Sequence, residues 1–221
     1  LENELYAAER MAAHASLARG LSYPAAELRE AQRDLLLSQF HDMLPGTSVR
    51  PVEEATMRLL SHGLEIVSRV RMRAFFALAE GEAKAAEGSV PVFVYNPHPF
   101  RVKAVVACEF MLPESAAGRY ADIVVHRRGM RIPAQTEKEL SSLYVEWRKR
   151  VVFEAELDPA SLNRFDCTVD WKEAKPAPAT REEDGALVFR NDRMEFVINA
   201  STGRVDRWVV DGVDIVRPDA F

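Results

Sequence analysis

Val90–Phe100, VPVFVYNPHPF, is the point at which this chain changes its hydrophobic period. Upstream of it, apolar residues recur three and four apart; from it onward, valines and aromatics alternate with polar residues, and an Asn-Pro turn interrupts them. A period near 3.6 buries one stripe of a helix and a period of about 2 buries one face of a strand, so a boundary at Gly88 separates two kinds of structure. The sequence therefore predicts a multi-domain α and β chain: a three-helix bundle over residues 1–87, then an antiparallel β-sandwich-like domain over residues 88–221.

Working back from Gly88, the first helix is read from Leu1, Leu5, Ala8, Ala12 and Ala15, with Gly20 as its stop. Pro24 suits a first helical position, and the second helix runs through Leu28, Leu35 and Leu36 to about Phe40. The stretch HDMLPGTSVRP, residues 41–51, breaks the period with Pro45, Gly46 and Pro51. A third helix follows to about Ala85, its apolar face predicted from Leu60, Leu64, Val67, Phe75 and Leu78. Antiparallel helices of this kind close on one core.

Working forward, strands are predicted near 102–110, 121–126, 143–157, 163–170, 186–190, 193–199, 204–210 and 213–217. No helical pattern separates them, which implies antiparallel sheets. Residues 172–184, rich in Pro, Ala and charge, read as a flexible surface connection. Residues 194–212 read as a hairpin, with Met194, Phe196 and Ile198 on one face, a Ser-Thr-Gly turn, and Val205, Trp208 and Val210 returning.

Composition narrows the function. The chain has 221 residues, 48% hydrophobic and 29% charged, with net charge -5, and its basic residues are scattered, so nucleic acid is not an expected partner. No apolar run approaches the roughly 20 residues that span a bilayer, so no membrane partner is expected either. Cys108 and Cys167 fall in strand-like runs and read as buried thiols. The opening LENELYAAER is too charged for a secretory h-region.

One loop stands apart: LLLSQFHDMLPGTSV, residues 35–49, where an apolar helix ends directly in Phe40, His41 and Asp42. An adjacent imidazole and carboxylate can serve a metal and a hydroxyl together. Alternatively His41 caps the helix C-terminus, where partial negative charge favours a cation. The same dipole disfavours Asp42, which calls for a compensating cation beside it.

Gln39, Phe40, His41, Asp42, Leu44, Pro45, Gly46, Thr47 and Ser48 resemble the QFHD-x-LPG-[ST]-S signature of glycoside hydrolase family 38 α-mannosidases. Residues 1–28 resemble the middle helical domain of that family, and residues 191–212 the opening of its C-terminal β domain. The resemblance implies a retaining exo-α-mannosidase with a divalent metal, usually zinc, that binds neighbouring mannose hydroxyls. It assigns His41 to the metal and Asp42 to the substrate. Phe40 replaces a second histidine of some members, which suggests the subgroup of bacterial and cytosolic eukaryotic enzymes and hence a cytoplasmic location.

By the same resemblance the His-x-Asp ligand pair, the aspartate nucleophile and the general acid belong to an N-terminal α/β domain, a partner outside this chain, and no H-x-D motif occurs here. Retaining hydrolysis needs carboxyl groups about 5–5.5 Å apart, which one loop cannot supply. No catalytic residue is therefore expected within residues 1–221, which alone should bind no stoichiometric zinc and turn over no mannoside. The β domain should be incomplete at its C-terminus, and its unpaired strands would expose apolar surface through which the chain could form a homo-oligomer. Mannosylglycerate hydrolysis is an alternative within the family, and a non-catalytic carbohydrate-binding or scaffold module an alternative outside it.

Other residues read as structural. His14 and His62 lie on helices without a carboxylate at ligand spacing, His98 belongs to the Asn-Pro-His-Pro turn, and His126 opens a basic hairpin. Trp147, Trp171 and Trp208 suit sandwich core better than sugar stacking. Arg148, Lys149 and Arg150 read as a protected exposed edge.

Overall fold

The computed structural model describes residues 1–141 and 146–216. Three helices come first, α1 (Glu2–Arg19), α2 (Ala25–Ser38) and α3 (Arg50–Ala79), and strands follow. The end of α1 is set by Gly20, whose φ of 69° lets the chain turn while its N–H still reaches the last turn. The predicted third helix is too long at its C-terminus: it stops at Ala79, because Glu80 is extended and Gly81 takes a φ of 84°.

α3 packs against both α1 and α2. The shared core comprises Ala8, Met11, Ala12 and Ala15 of α1, Leu28 and Ala31 of α2, and Ile66, Val67, Val70, Ala74 and Leu78 of α3. Small residues on α1 allow close approach, whereas Leu64 is displaced from the predicted face and stands 41% exposed. Burial on α3 begins only at Gly63. Over its first three turns, about 18 Å by helical rise, no side chain is fully buried, and Val52, Ala55, Thr56, Leu59 and Leu60 are half-buried.

Strands β1 (Ser89–Asn96), β2 (Val102–Met111), β3 (Tyr120–Arg127), β4 (Met130–Ile132), β5 (Ala134–Glu137), β6 (Arg148–Leu157) and β7 (Ser161–Lys172) form two antiparallel sheets. Their orders are β1-β7-β3-β4 and β2-β6-β5. Period-2 burial is explicit: Ala121, Ile123 and Val125 of β3, Val151, Phe153, Ala155 and Leu157 of β6, and Phe165 and Cys167 of β7 fill the space between the sheets. Tyr95 and Leu162, cross-strand partners on β1 and β7, point the other way and pack on the helical core. Bundle and sandwich thus share side chains.

Predicted residues 143–145 lie outside the described residues, and β6 runs from Arg148. It is a central strand, so Arg148–Arg150 are no exposed edge. Arg148 faces Glu109 and Arg150 faces Glu137, each at 3.6 Å, and Lys149 is buried. Carboxylates on the flanking strands stabilise a basic run that reads from sequence as a solvated edge.

The change of secondary structure and the division into compact units fall at different places. The former lies between Ala79 and Ser89; the latter lies between Lys172 and Glu173. The second unit is a single antiparallel sheet of β8 (Thr180–Glu183), β9 (Ala186–Arg190), β10 (Met194–Asn199), β11 (Val205–Val210) and β12 (Val213–Asp214), paired in the order β12-β11-β10-β9-β8. β8 occupies part of the stretch predicted to be a flexible connection. Its backbone pairs with β9 whatever its polarity, and Glu183 meets Arg190 at 2.8 Å. The signal for it is Asp184–Gly185, with φ of 48° and 77°, a two-residue turn of the kind that joins hairpins.

The predicted hairpin of residues 194–212 forms, with Met194, Phe196 and Ile198 opposite Val210, Trp208 and Val205. Val205 lies an odd number of residues from Trp208. A bulge at Asp206, opposite the Val197–Ile198 step, supplies the change of parity that puts both on one face.

Candidate active site

α2 ends at Ser38, whose hydroxyl donates to the Asp34 carbonyl at 2.7 Å, and residues 39–49 follow as a run of turns. Gln39 N–H reaches the Leu35 and Leu36 carbonyls, Met43 and Leu44 N–H reach Phe40, and Gly46 N–H, at φ 75°, reaches Met43. The Thr47 hydroxyl donates to the Asp42 carbonyl at 3.3 Å. Among the described residues, every hydrogen bond of this loop stays within residues 35–53. The loop is consequently held at its ends, by α2 and α3, and not by its middle.

His41 and Asp42 project from it with side chains 75% and 58% exposed. His41 Nε2 lies 3.3 Å from Asp42 Oδ2, and the imidazole packs at 4.2 Å from the Phe40 ring. An imidazole and a carboxylate are suitable zinc donors, yet a catalytic zinc takes three protein ligands. Among the described residues no group of three or more His, Cys, Asp or Glu side chains could hold a metal ion. The pair therefore fits part of a donor set. Around it Leu36, Leu37, Phe40, Leu44, Val49 and Met57 are exposed apolar side chains.

His62 departs from its expected isolation. On α3 its Nδ1 lies 2.7 Å from Asp34 Oδ2, and its Nε2 lies 3.7 Å from Glu30 Oε1. A carboxylate only accepts, so Nδ1 carries the proton. Asp34 is the most buried acid of the bundle, with a side chain only 10% exposed. Sequence spacing could not reveal the pair, since its members lie 28 residues apart on different helices.

His98 keeps its turn role: its N–H donates to Asn96 Oδ1 at 3.0 Å and its ring stacks on Phe100. Asn96 is buried and donates to the carbonyls of Phe100, Leu157 and Asp158. The basic hairpin after His126 is solvated at its tip, with Arg128 exposed and Arg127 drawn in. Arg127 and Arg128 both reach Asp158, at 2.8 and 2.9 Å. Trp171 packs on the sandwich core under the Arg119 guanidinium, 4.1 Å from its ring, while Trp147 and Trp208 are exposed and so are not core. Cys167 is fully buried, and burial pushes its thiol up to about 12.

Residues 1–78, which include the loop, match the family model of the alpha mannosidase middle domain. No curated protein matches the sequence. Among solved structures, a protein in glycosyl hydrolase family 38 from Enterococcus faecalis superposes with a TM-score of 0.59 at 17% identity, covering 92% of this chain and 28% of that one. An alpha-mannosidase from Enterococcus faecalis V583 superposes with a TM-score of 0.54 at 18% identity, covering 90% of this chain and 26% of that one. The chain thus spans little more than a quarter of the length of either solved chain. At these identities the likeness concerns the fold, and the sequence match concerns the helices. Residues 1–78 are thus similar in sequence to the alpha mannosidase middle domain, and most of the chain shares its fold with a solved protein in glycosyl hydrolase family 38 and with a solved alpha-mannosidase.

Proposed function

We propose that this chain forms part of a retaining, metal-dependent exo-α-mannosidase. His41 is a ligand of its divalent metal, and Asp42 accepts hydrogen bonds from hydroxyls of the terminal mannose. The observation that carries the reading is the exposed His41–Asp42 pair at the tip of a loop inside the matched middle domain. The metal, when bound, polarises sugar hydroxyls and fixes the ring.

Two donors make a half-site, so the remaining ligands, the nucleophile and the general acid belong to another domain. The apolar side chains of Leu36, Leu37, Phe40 and Leu44 suit a surface that such a domain covers. Residues 1–221 alone then bind zinc weakly and do not hydrolyse mannosides. What remains to this chain's own residues is orientation: the helix ends place His41, and Asp42 beside it sets the hydroxyl pattern that is accepted.

The test is His41→Ala in the intact enzyme, assayed on an aryl α-mannoside with metal content measured in parallel. Loss of a ligand should lower turnover by at least about a hundredfold, from the upper end of what even outer-shell changes cost metal sites. Unchanged metal content and unchanged turnover would refute the assignment.

A further inference from the structure

We infer that Asp34 and His62 are positioning residues for the His41–Asp42 loop, an inference that rests on the function proposed above. The loop has no long-range hydrogen bond of its own among the described residues. Its place in space is therefore inherited from where α2 stops and where α3 starts. The N-terminal end of α3 holds it only loosely, since no residue from Arg50 to His62 is fully buried and the best covered, among them Val52, Leu59 and Leu60, are half-buried. Of the side-chain hydrogen bonds described between α2 and α3, the one nearest that stretch is Asp34–His62, at 2.7 Å.

Three features make this contact a fixed point and not a casual surface pair. First, the Asp34 carboxylate is largely taken out of water, and the His62 Nδ1–H is its side-chain partner, so removing His62 while the helices stay packed would leave a buried carboxylate without that partner. Second, the next residue of α3 is Gly63, where a Cβ would come within 3.4 Å of the Asp34 Cβ and 2.6 Å of a Leu1 side-chain carbon. A side chain there would press on the Leu1 side chain and touch Asp34, so α3 has no bulk at the level of the pair. Third, the Asp34 carbonyl also takes the Ser38 hydroxyl, which ties the pair to the last residue of α2, immediately before Gln39. Glu30, one turn earlier, lies 3.7 Å from the His62 Nε2 on the outer side of the imidazole. From His62 Nδ1, through Asp34 and Ser38, the chain of contacts reaches the residue that opens the loop. His41 follows three positions after Ser38.

Asp34 and His62 touch neither the metal nor the sugar in this arrangement; they act through His41. Their removal should spread the loop over several positions and so weaken the metal site without dismantling the bundle, whose core lies on Ile66, Val67 and Val70.

The experiment compares His62→Ala, Asp34→Ala and His62→Gln with His41→Ala in the intact enzyme. Three readouts are taken: hydrogen exchange of loop amides 40–47 in the metal-free protein, zinc affinity by competition with a chelator, and kcat and KM on an aryl α-mannoside. For His62→Ala and Asp34→Ala we expect faster exchange confined to the loop and the last turn of α2, and zinc binding weaker by about tenfold. kcat/KM should fall in step with zinc affinity and recover when zinc is saturating. His62→Gln, which keeps a donor, should restore most of both. Loop exchange and zinc affinity equal to wild type in His62→Ala would overturn the inference, as would a uniform loss of protection across α2 and α3 with zinc affinity per folded molecule unchanged. His41→Ala separates the two levels of the argument: if it is without effect, the function proposed above fails; if it abolishes zinc binding while His62→Ala and Asp34→Ala leave it intact, only the positioning role fails.

Discussion

His41 and Cys167 mark opposite uses of exposure. The imidazole stands in water with its neighbour's carboxylate, available to a ligand, while the thiol lies between two sheets, opposite Val90 and Val125. Burial, helped by Cys108 and Asp166, lifts the Cys167 thiol from its ordinary 9.0 to about 12. The folded value is the higher one, so the neutral thiol favours the folded state fully below about pH 9, and that contribution is lost as pH rises from there towards 12. Denaturant titrations at pH 7, 9 and 10 should show stability falling at the alkaline end, less so in Cys167→Ala. Alkylation at pH 8 should spare Cys167 until the protein unfolds; rapid labelling of the native thiol would contradict this account.

Each hairpin joined by two residues carries the same device. Arg128–Gly129, Asp184–Gly185 and Asp211–Gly212 all have positive φ at both positions, the geometry whose twist matches that of the strands. A glycine accepts it freely, and a residue with a Cβ pays a steric penalty. Gly185→Ala should therefore destabilise the sheet of the second unit by about 1–2 kcal/mol, with no effect on helical content; thermal melts followed at a helix and at a strand wavelength would separate the two. Between the sheets of the first unit, Phe165 is fully buried and packs at 4.9 Å from the Phe153 ring. Phe165→Ala should cost about 3–5 kcal/mol, read as a shift in the urea midpoint. A loss below about 1 kcal/mol would mean that this core is not as closed as its burial implies.

For the molecule as a whole, the sharing of Tyr95 and Leu162 between helical core and β1–β7 makes residues 1–172 one compact unit. Residues 1–172 expressed without the second unit should keep both the helices and the sandwich, and should melt in one cooperative transition. Leu162→Ala should lower that transition at helix and strand wavelengths together; a shift of the strand signal alone would show that the bundle is stable without its β partner. Limited proteolysis of the whole chain should cut first within residues 173–179, which precede β8 and have no strand or helix of their own.

Sequence alone determined the presence of three helices, most of the sandwich strands and the loop at His41, because each rests on a local property: a hydrophobic period, a glycine stop, a run of proline and glycine, a contiguous motif. The short strands β4 and β5 and the end of α3 at Ala79 were not among them. The hairpin at residues 194–212 was legible for the same reason, including its face, although the bulge that reconciles Val205 with Trp208 was not. Strand β8 is hidden by its polar composition, and its one local signal is the Asp184–Gly185 turn that pairs it with β9. What only the tertiary structure decided is non-local. The buried Asp34 meets His62 across two helices, Glu109 and Glu137 stabilise the basic strand β6, and Leu64 faces solvent since α3 turns Gly63, Val67 and Val70 inward. Pairs of this kind depend on how elements rotate and approach one another, and close approach is set by the shapes of whole faces, which no single stretch of sequence contains.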